Sequence, residues 1–126
     1  MAEINKEAFV ELQTRLVETT SKLKQVQMQI RSKEAEKKRT ILTLEELQGL
    51  PETNTYKSVG RAFILESKDD LIKEYQARGK ECEATLNSLQ TSLEYLERQM
   101  KEVENNFKEL LQQSPALAQQ VMALTV

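Results

Sequence analysis

Apolar residues along this chain fall into two long helical stripes separated by one short segment of a different period. In the first stripe Ala8, Leu12, Leu16, Thr19, Leu23, Val26 and Ile30 recur, with steps of three and four alternating after Leu16. That alternation is the a/d seam of a left-handed coiled coil, and it predicts a helix from about Ile4 to Lys38. At a rise of ~1.5 Å per residue such a helix is roughly 50 Å long. Phe9 sits beside the seam and Val17 flanks it. In the second stripe Tyr75, Gly79, Cys82, Leu86, Leu89, Leu93, Leu96, Met100, Val103, Phe107 and Leu110 alternate steps of four and three without a break. A seam sustained this long marks a coiled coil. Ser67-Lys68-Asp69-Asp70 ahead of it supplies an N-cap with acids in the first turn, and Pro115 ends or kinks the helix.

Between the stripes the helical period breaks. Helix character fades through Arg39-Thr40-Ile41-Leu42, and Thr43-Leu44-Glu45-Glu46 has the spacing of a capping box. A short helical turn is therefore expected over Leu44 to Leu50, ended by Gly49 and Pro51. Glu52 to Glu66 then predicts a β-hairpin, with Gly60 as the residue free to take a positive φ at its turn. Ala62 to Leu65 is apolar on both faces of a strand, because successive side chains point to opposite sides. An isolated two-stranded hairpin is marginal in water and leaves open edges, and a chain of long helices has little surface to cover it. The segment thus reads as an assembly element, with Tyr56, Val59, Gly60, Phe63, Ile64 and Leu65 as subunit contacts. The plainer alternative is a hairpin folded back on Leu44, Leu47 and Leu50.

The expected fold class is all-α dominated: a long antiparallel two-helix coiled coil with one β-hairpin and the short helical turn at its closed end. Residues 1–114 would form this body and 115–126 a flexible tail, in which Leu117, Val121 and Leu124 keep helical spacing. The antiparallel pairing sets Ile30 near Tyr75, Leu23 near Cys82, and Phe9 near Leu96 or Met100. Helix two is then the longer, and Val103 to Leu111 run past the partner helix. That leaves Phe107, Leu110 and Leu111 partly exposed near Ile4 and Phe9, with simple closure of the helix end as the alternative.

Composition narrows the function. The chain has 126 residues, 30% of them charged and 5% aromatic, with three Gly and two Pro, the profile of a long-helix protein rather than a globular enzyme. There is no histidine, which removes Ser-His-Asp and Cys-His nucleophile pairs and the commonest neutral metal ligand. Gly49, Gly60 and Gly79 are too scattered for a P-loop or a dinucleotide fingerprint. The lone Cys82 offers neither an internal disulfide nor a thiolate metal site; in the seam it behaves as a small hydrophobe. No catalytic, cofactor or metal site is expected. A net charge of −2 gives no electrostatic footprint for nucleic acid or anionic membrane. The one basic run, Arg31 to Arg39, reads as a solvated helix end where cations suit the dipole. The N-terminus lacks an apolar h-region, and Ser114 to Val126 is too short to span a bilayer. An intracellular, cytoplasmic protein is expected.

The segments Glu52-Thr53-Asn54, Tyr56, Val59-Gly60-Arg61, Phe63-Ile64-Leu65 and Ser67-Lys68 resemble β-type prefoldin subunits. So do Phe9-Val10-Glu11-Leu12-Gln13 and Tyr95-Leu96-Glu97-Arg98, and the likeness covers about residues 5 to 112. Heptads alone are shared by any coiled coil; the Tyr-x-x-Val-Gly-Arg-x-Phe-Ile-Leu hairpin between two of them is far more specific. The resemblance implies a heterohexameric, ATP-independent co-chaperone of two α-type and four β-type subunits, joined through their hairpins. It implies unfolded clients of the actin and tubulin class and the cytosolic chaperonin as partners. The tail after Pro115 matches no shared pattern. A structural coiled-coil adaptor or tether is the reading from a different class, and the two-faced apolar hairpin, for which a tether has no need, separates the two.

Overall fold

A computed structural model describes residues 2–113 of the chain together with Pro115 and Gln119. Helix α1 runs Ala2–Gly49, strand β1 Thr55–Val59, strand β2 Ala62–Glu66 and helix α2 Lys68–Gln113. The long helices and single hairpin agree with the fold class read from the sequence. The chain divides into two compact units, Met28–Gln90 and Met1–Gln27 with Thr91–Val126. No helix among the described residues is long and apolar enough to cross a membrane.

In the unit Met28–Gln90 the two helices pack antiparallel beside the hairpin. A Cβ on Gly79 would sit 3.8 Å from Thr40 Cγ2, while Lys33 and Glu36, earlier on α1, lie beside Cys82, later on α2. Leu47, Leu71 and Cys82 are buried here, as is Thr40. Ser67 caps α2 as expected: the Asp70 amide donates to its hydroxyl at 3.2 Å, with Asp69 and Asp70 in the first turn. In the other unit the α2 residues Leu96, Val103 and Leu110 are buried together with Thr19 of α1.

Several expectations are corrected. Helix α1 neither fades after Lys38 nor restarts at Leu44; it is continuous to Gly49. The hydroxyl of Thr43 donates to the Arg39 carbonyl at 2.8 Å, and that of Thr40 to the Glu36 carbonyl at 2.8 Å. Both side chains are engaged inside one helix, so Thr43 does not begin a second one. The seam also continues, through half-buried Lys33 and Lys37, buried Thr40, half-buried Leu44 and buried Leu47. A lysine can hold a half-buried seam position because its apolar stem can be covered while its charged head stays in water. Pro51 and the short link Leu50 N–H to Leu47 carbonyl end the helix.

The pairing register shifts as a consequence. With α1 longer, Cys82 lies beside Lys33 and Glu36 rather than Leu23, and Phe9 meets Phe107 rather than Leu96 or Met100. Among the described residues α2, Lys68–Gln113, has 46 residues against 48 in α1. The hairpin itself is tighter than expected, starting at Thr55 rather than Glu52. Apart from Pro115 and Gln119, both helical, the expected tail with Leu117, Val121 and Leu124 lies outside the described residues.

Candidate functional site

The hairpin is the candidate site. β1 and β2 pair antiparallel with Thr55 opposite Glu66, Tyr56 opposite Leu65, Lys57 opposite Ile64, Ser58 opposite Phe63 and Val59 opposite Ala62. Only Gly60 and Arg61 remain between the strands, and Gly60 has φ +60° while no other described residue has a positive φ. A positive φ at the first of two loop residues is the signature of a II′ turn, whose twist matches that of the strands. Residues directly opposite share a face. Tyr56, Ser58, Phe63 and Leu65 therefore form one face, and Thr55, Lys57, Val59, Ala62, Ile64 and Glu66 the other.

Neither face is closed over by the rest of the chain. Phe63 is 75% exposed, Leu65 61%, Tyr56 58%, Ile64 52% and Val59 49%. The sheet has two strands only, so each strand has an outer edge with no strand beside it among the described residues. Part of the alternative folded-back packing is present: a cavity of about 380 Å³ between hairpin and helices is lined by Leu47 and Leu71 together with Tyr56 and Tyr75. It leaves Phe63, Ile64 and Leu65 outside.

What fixes the hairpin to α2 is polar. Lys57 Nζ donates to Glu74 Oε1 at 2.6 Å, and Arg78 donates to the same oxygen at 3.0 Å. The Arg78 guanidinium also stands 5.0 Å from the centre of the Tyr75 ring, a cation–π contact. The Lys57 hydrogen bond is the main reason the Glu74 carboxyl is held below the usual carboxylate range, and the same bond raises the Lys57 ammonium. This triad was not among the residues singled out from sequence. The i, i+4 spacing of Glu74 and Arg78 is legible as a helix pair, but nothing in the sequence places Lys57 beside them.

At the start of α1 and the end of α2, Phe9 and Phe107 meet edge to face, ring centres 5.3 Å apart at 67°. Leu110 is buried, and Phe9, Phe107 and Leu111 are half-buried. The side chain of Ile4 lies outside the described residues. Among the described residues of this unit, the large apolar side chains most exposed are Val17 at 64%, Val10 at 58% and Tyr95 at 54%, none of them a seam position. Cys82 is buried. The nearby Glu36 carboxyl is lowered chiefly by its hydrogen bond from Lys33, the Cys82 thiol contributing less.

A family model described as Prefoldin subunit matches residues 10–114. Among relatives, prefoldin subunit 1 of Arabidopsis thaliana is 56% identical over 89 residues, covering 70% of each chain. Prefoldin subunit 1 of Homo sapiens is 39% identical over 86 residues, covering 68% of this chain and 70% of its own. Among solved structures, the crystal structure of the prefoldin beta subunit from Thermococcus strain KS-1 superposes with a TM-score of 0.69 at 23% identity. It covers 81% of this chain and 90% of that one, a likeness of fold.

Proposed function

Since the chain belongs to the prefoldin subunit family, we propose that its hairpin is the element through which it joins α- and β-type prefoldin subunits in a heterohexamer. It is a subunit of a chaperone and not an enzyme. The observation that carries the assembly reading is the hairpin's exposure on both faces, with Phe63, Leu65 and Ile64 each more than half exposed. Large apolar residues left uncovered on one element mark an interaction surface, and two open strand edges invite further strands. Tyr56, Val59, Gly60, Phe63, Ile64 and Leu65 would then be covered by neighbouring hairpins.

The remainder of the activity follows from several such subunits acting together. Unfolded chains of the actin and tubulin class would be held in the cytoplasm by many weak contacts, each reversible and strong in sum, then passed to the cytosolic chaperonin. Phe9, Phe107, Leu110 and Leu111, with Ile4, are the proposed client contacts. Because no nucleotide-binding motif is present in the sequence, release would rest on transfer to that partner.

The test is native mass spectrometry of the tagged chain recovered from its own cell extract. A complex of six small coiled-coil subunits supports the reading. A homodimer, or one large folded partner, overturns it in favour of a tether. A Phe63→Ser, Ile64→Ser variant should drop out of the complex while keeping its helical circular dichroism; retention in the complex would refute the role given to the hairpin.

A further inference from the structure

The run Arg31-Ser32-Lys33-Glu34-Ala35-Glu36-Lys37-Lys38-Arg39 holds five cations against two acids, in a chain whose net charge is −2. Because α1 continues to Gly49, the run lies inside a helix, where the macrodipole gives cations no advantage. Lys33 is taken by Glu36 at 3.1 Å. Lys37 and Lys38 enter no ion pair among the described residues.

These two lysines share a face of α1 with Ile41 and Leu42, three and four residues on. Ile41 is 44% exposed and Leu42 51%. Two open grooves flank Ile41. One, of about 420 Å³, is lined by Lys37, Ile41 and Leu44 on α1 and by Gln76, Gly79, Lys80 and Glu83 on α2. The other, of about 440 Å³, is lined by Glu34, Lys37, Lys38, Ile41, Leu42 and Leu86. All of these residues belong to the unit Met28–Gln90. Gly79, lacking a side chain, deepens the floor where α2 passes Thr40.

The two grooves thus combine apolar Ile41, Leu42, Leu44 and Leu86 with three lysines, Lys37, Lys38 and Lys80, against two acids, Glu34 and Glu83. We propose that this face of α1 and α2 docks an acid-flanked amphipathic helix of a partner protein, apolar residues over Ile41 and Leu42 and carboxylates against Lys37, Lys38 and Lys80. A helix is the matching occupant because Lys37, Ile41 and Leu44 line one groove at i, i+4, i+7 spacing along α1, a row that anchors spaced i, i+3, i+4 can follow. The charge selects acidic flanks, since like charges set against these lysines would repel. None of these residues is in the hairpin, so the site stands or falls separately from hairpin-mediated assembly.

The probe is a synthetic labelled helical peptide carrying a Leu stripe at i, i+3, i+4 with Glu on its flanks, against the same peptide with Lys in place of Glu. Binding to the full chain is read by fluorescence anisotropy at low and high salt. The Glu peptide should bind and weaken with salt, and K37E/K38E should weaken it about tenfold or more, some 1.4 kcal/mol. I41S/L42S, at exposed positions that leave the helix formed, should abolish it. Equal binding of the Lys peptide, or no response to K37E/K38E, overturns the proposal. So does chain self-association that I41S/L42S removes, or binding to phosphatidylserine vesicles without binding of the Glu peptide.

Discussion

Whether the aromatic residues near the helix ends close the coiled coil or stay free for a client can be decided by the Phe9–Phe107 pair. Their rings meet at 5.3 Å and 67°, a geometry that contributes about 0.5–1.5 kcal/mol beyond the area it buries. Leucine at either position keeps apolar volume and helix propensity, so Phe9→Leu and Phe107→Leu should each cost about 1 kcal/mol. The two losses share one contact. The double variant should therefore fall short of the sum of the singles by about 0.5–1.5 kcal/mol, the ring–ring term alone. Native-state hydrogen exchange of amides flanking both residues gives the local opening free energy needed for this cycle. Additivity within about 0.3 kcal/mol would mean that the rings do not touch, and the pairing described above would be wrong. A client assay run beside it, suppression of aggregation of an unfolded protein, completes the test. If the single variants lose client capture while local opening stays unchanged, the rings serve clients and not closure.

Gly79→Ala should stabilise the chain by about 1 kcal/mol, because alanine is favoured over glycine inside a helix and its Cβ would make only an ordinary 3.8 Å contact with Thr40. Urea unfolding checks this, and a loss of stability would show that the helices approach more closely here. Gly60→Ala should act oppositely, costing about 1 kcal/mol for its left-handed backbone although nothing lies within 4 Å of the added carbon; unchanged exchange of the hairpin amides would refute that turn. The Lys57–Glu74 bridge sets a pH signature. The Glu74 carboxyl is lowered chiefly by its hydrogen bond from Lys57, so its contribution is present above the unfolded carboxylate value and lost as pH falls through the lower folded one. Lys57 is raised by the same bond, so its contribution is present below the unfolded lysine value and lost as pH rises through the higher folded one. Hairpin protection should then be flat around neutrality and fall at both extremes, and a step near pH 7 would overturn the bridge's role.

The second helix was legible almost residue by residue because its seam is apolar: every named position from Tyr75 to Leu110 is buried or half-buried. The first was legible only as far as its seam stayed apolar. Beyond Ile30 the facing positions are Lys33, Lys37 and Thr40, and a hydrophobic pattern is blind to residues that pack with their stems or through a hydroxyl turned onto the backbone. Thr43 misled for the same reason. Its spacing to Glu46 fits a capping box, yet an i−4 hydroxyl bond satisfies the same side chain inside a continuous helix. One misplaced boundary carried the register and the account of the basic run with it. The hairpin was legible because Gly60 and the doubly apolar β2 are local signals. Its polar attachment to Glu74 was not, because Lys57 and Glu74 are distant in sequence and alternation along a strand does not identify a partner on a helix.

The hairpin's exposure bears on what kind of assembly it can support. Burying a large apolar side chain completely is worth about 1.5–3 kcal/mol. Tyr56, Val59, Phe63, Ile64 and Leu65 are between 49% and 75% exposed. Covering them would therefore contribute on the order of 5 kcal/mol per hairpin. One contact between two hairpins covers about one face of each, again on the order of 5 kcal/mol in all. Association of two bodies costs an estimated 4–15 kcal/mol in lost freedom of motion, so a single such contact falls near or below break-even. Several contacts closed on themselves do not, since each strand edge gains a neighbour and later contacts form within an assembly already tethered. On the assembly reading, a hairpin with two exposed faces and two open edges is therefore suited to a closed ring of subunits and poorly suited to a dimer. Loss of one subunit's hairpin should accordingly weaken the whole complex, not just one interface.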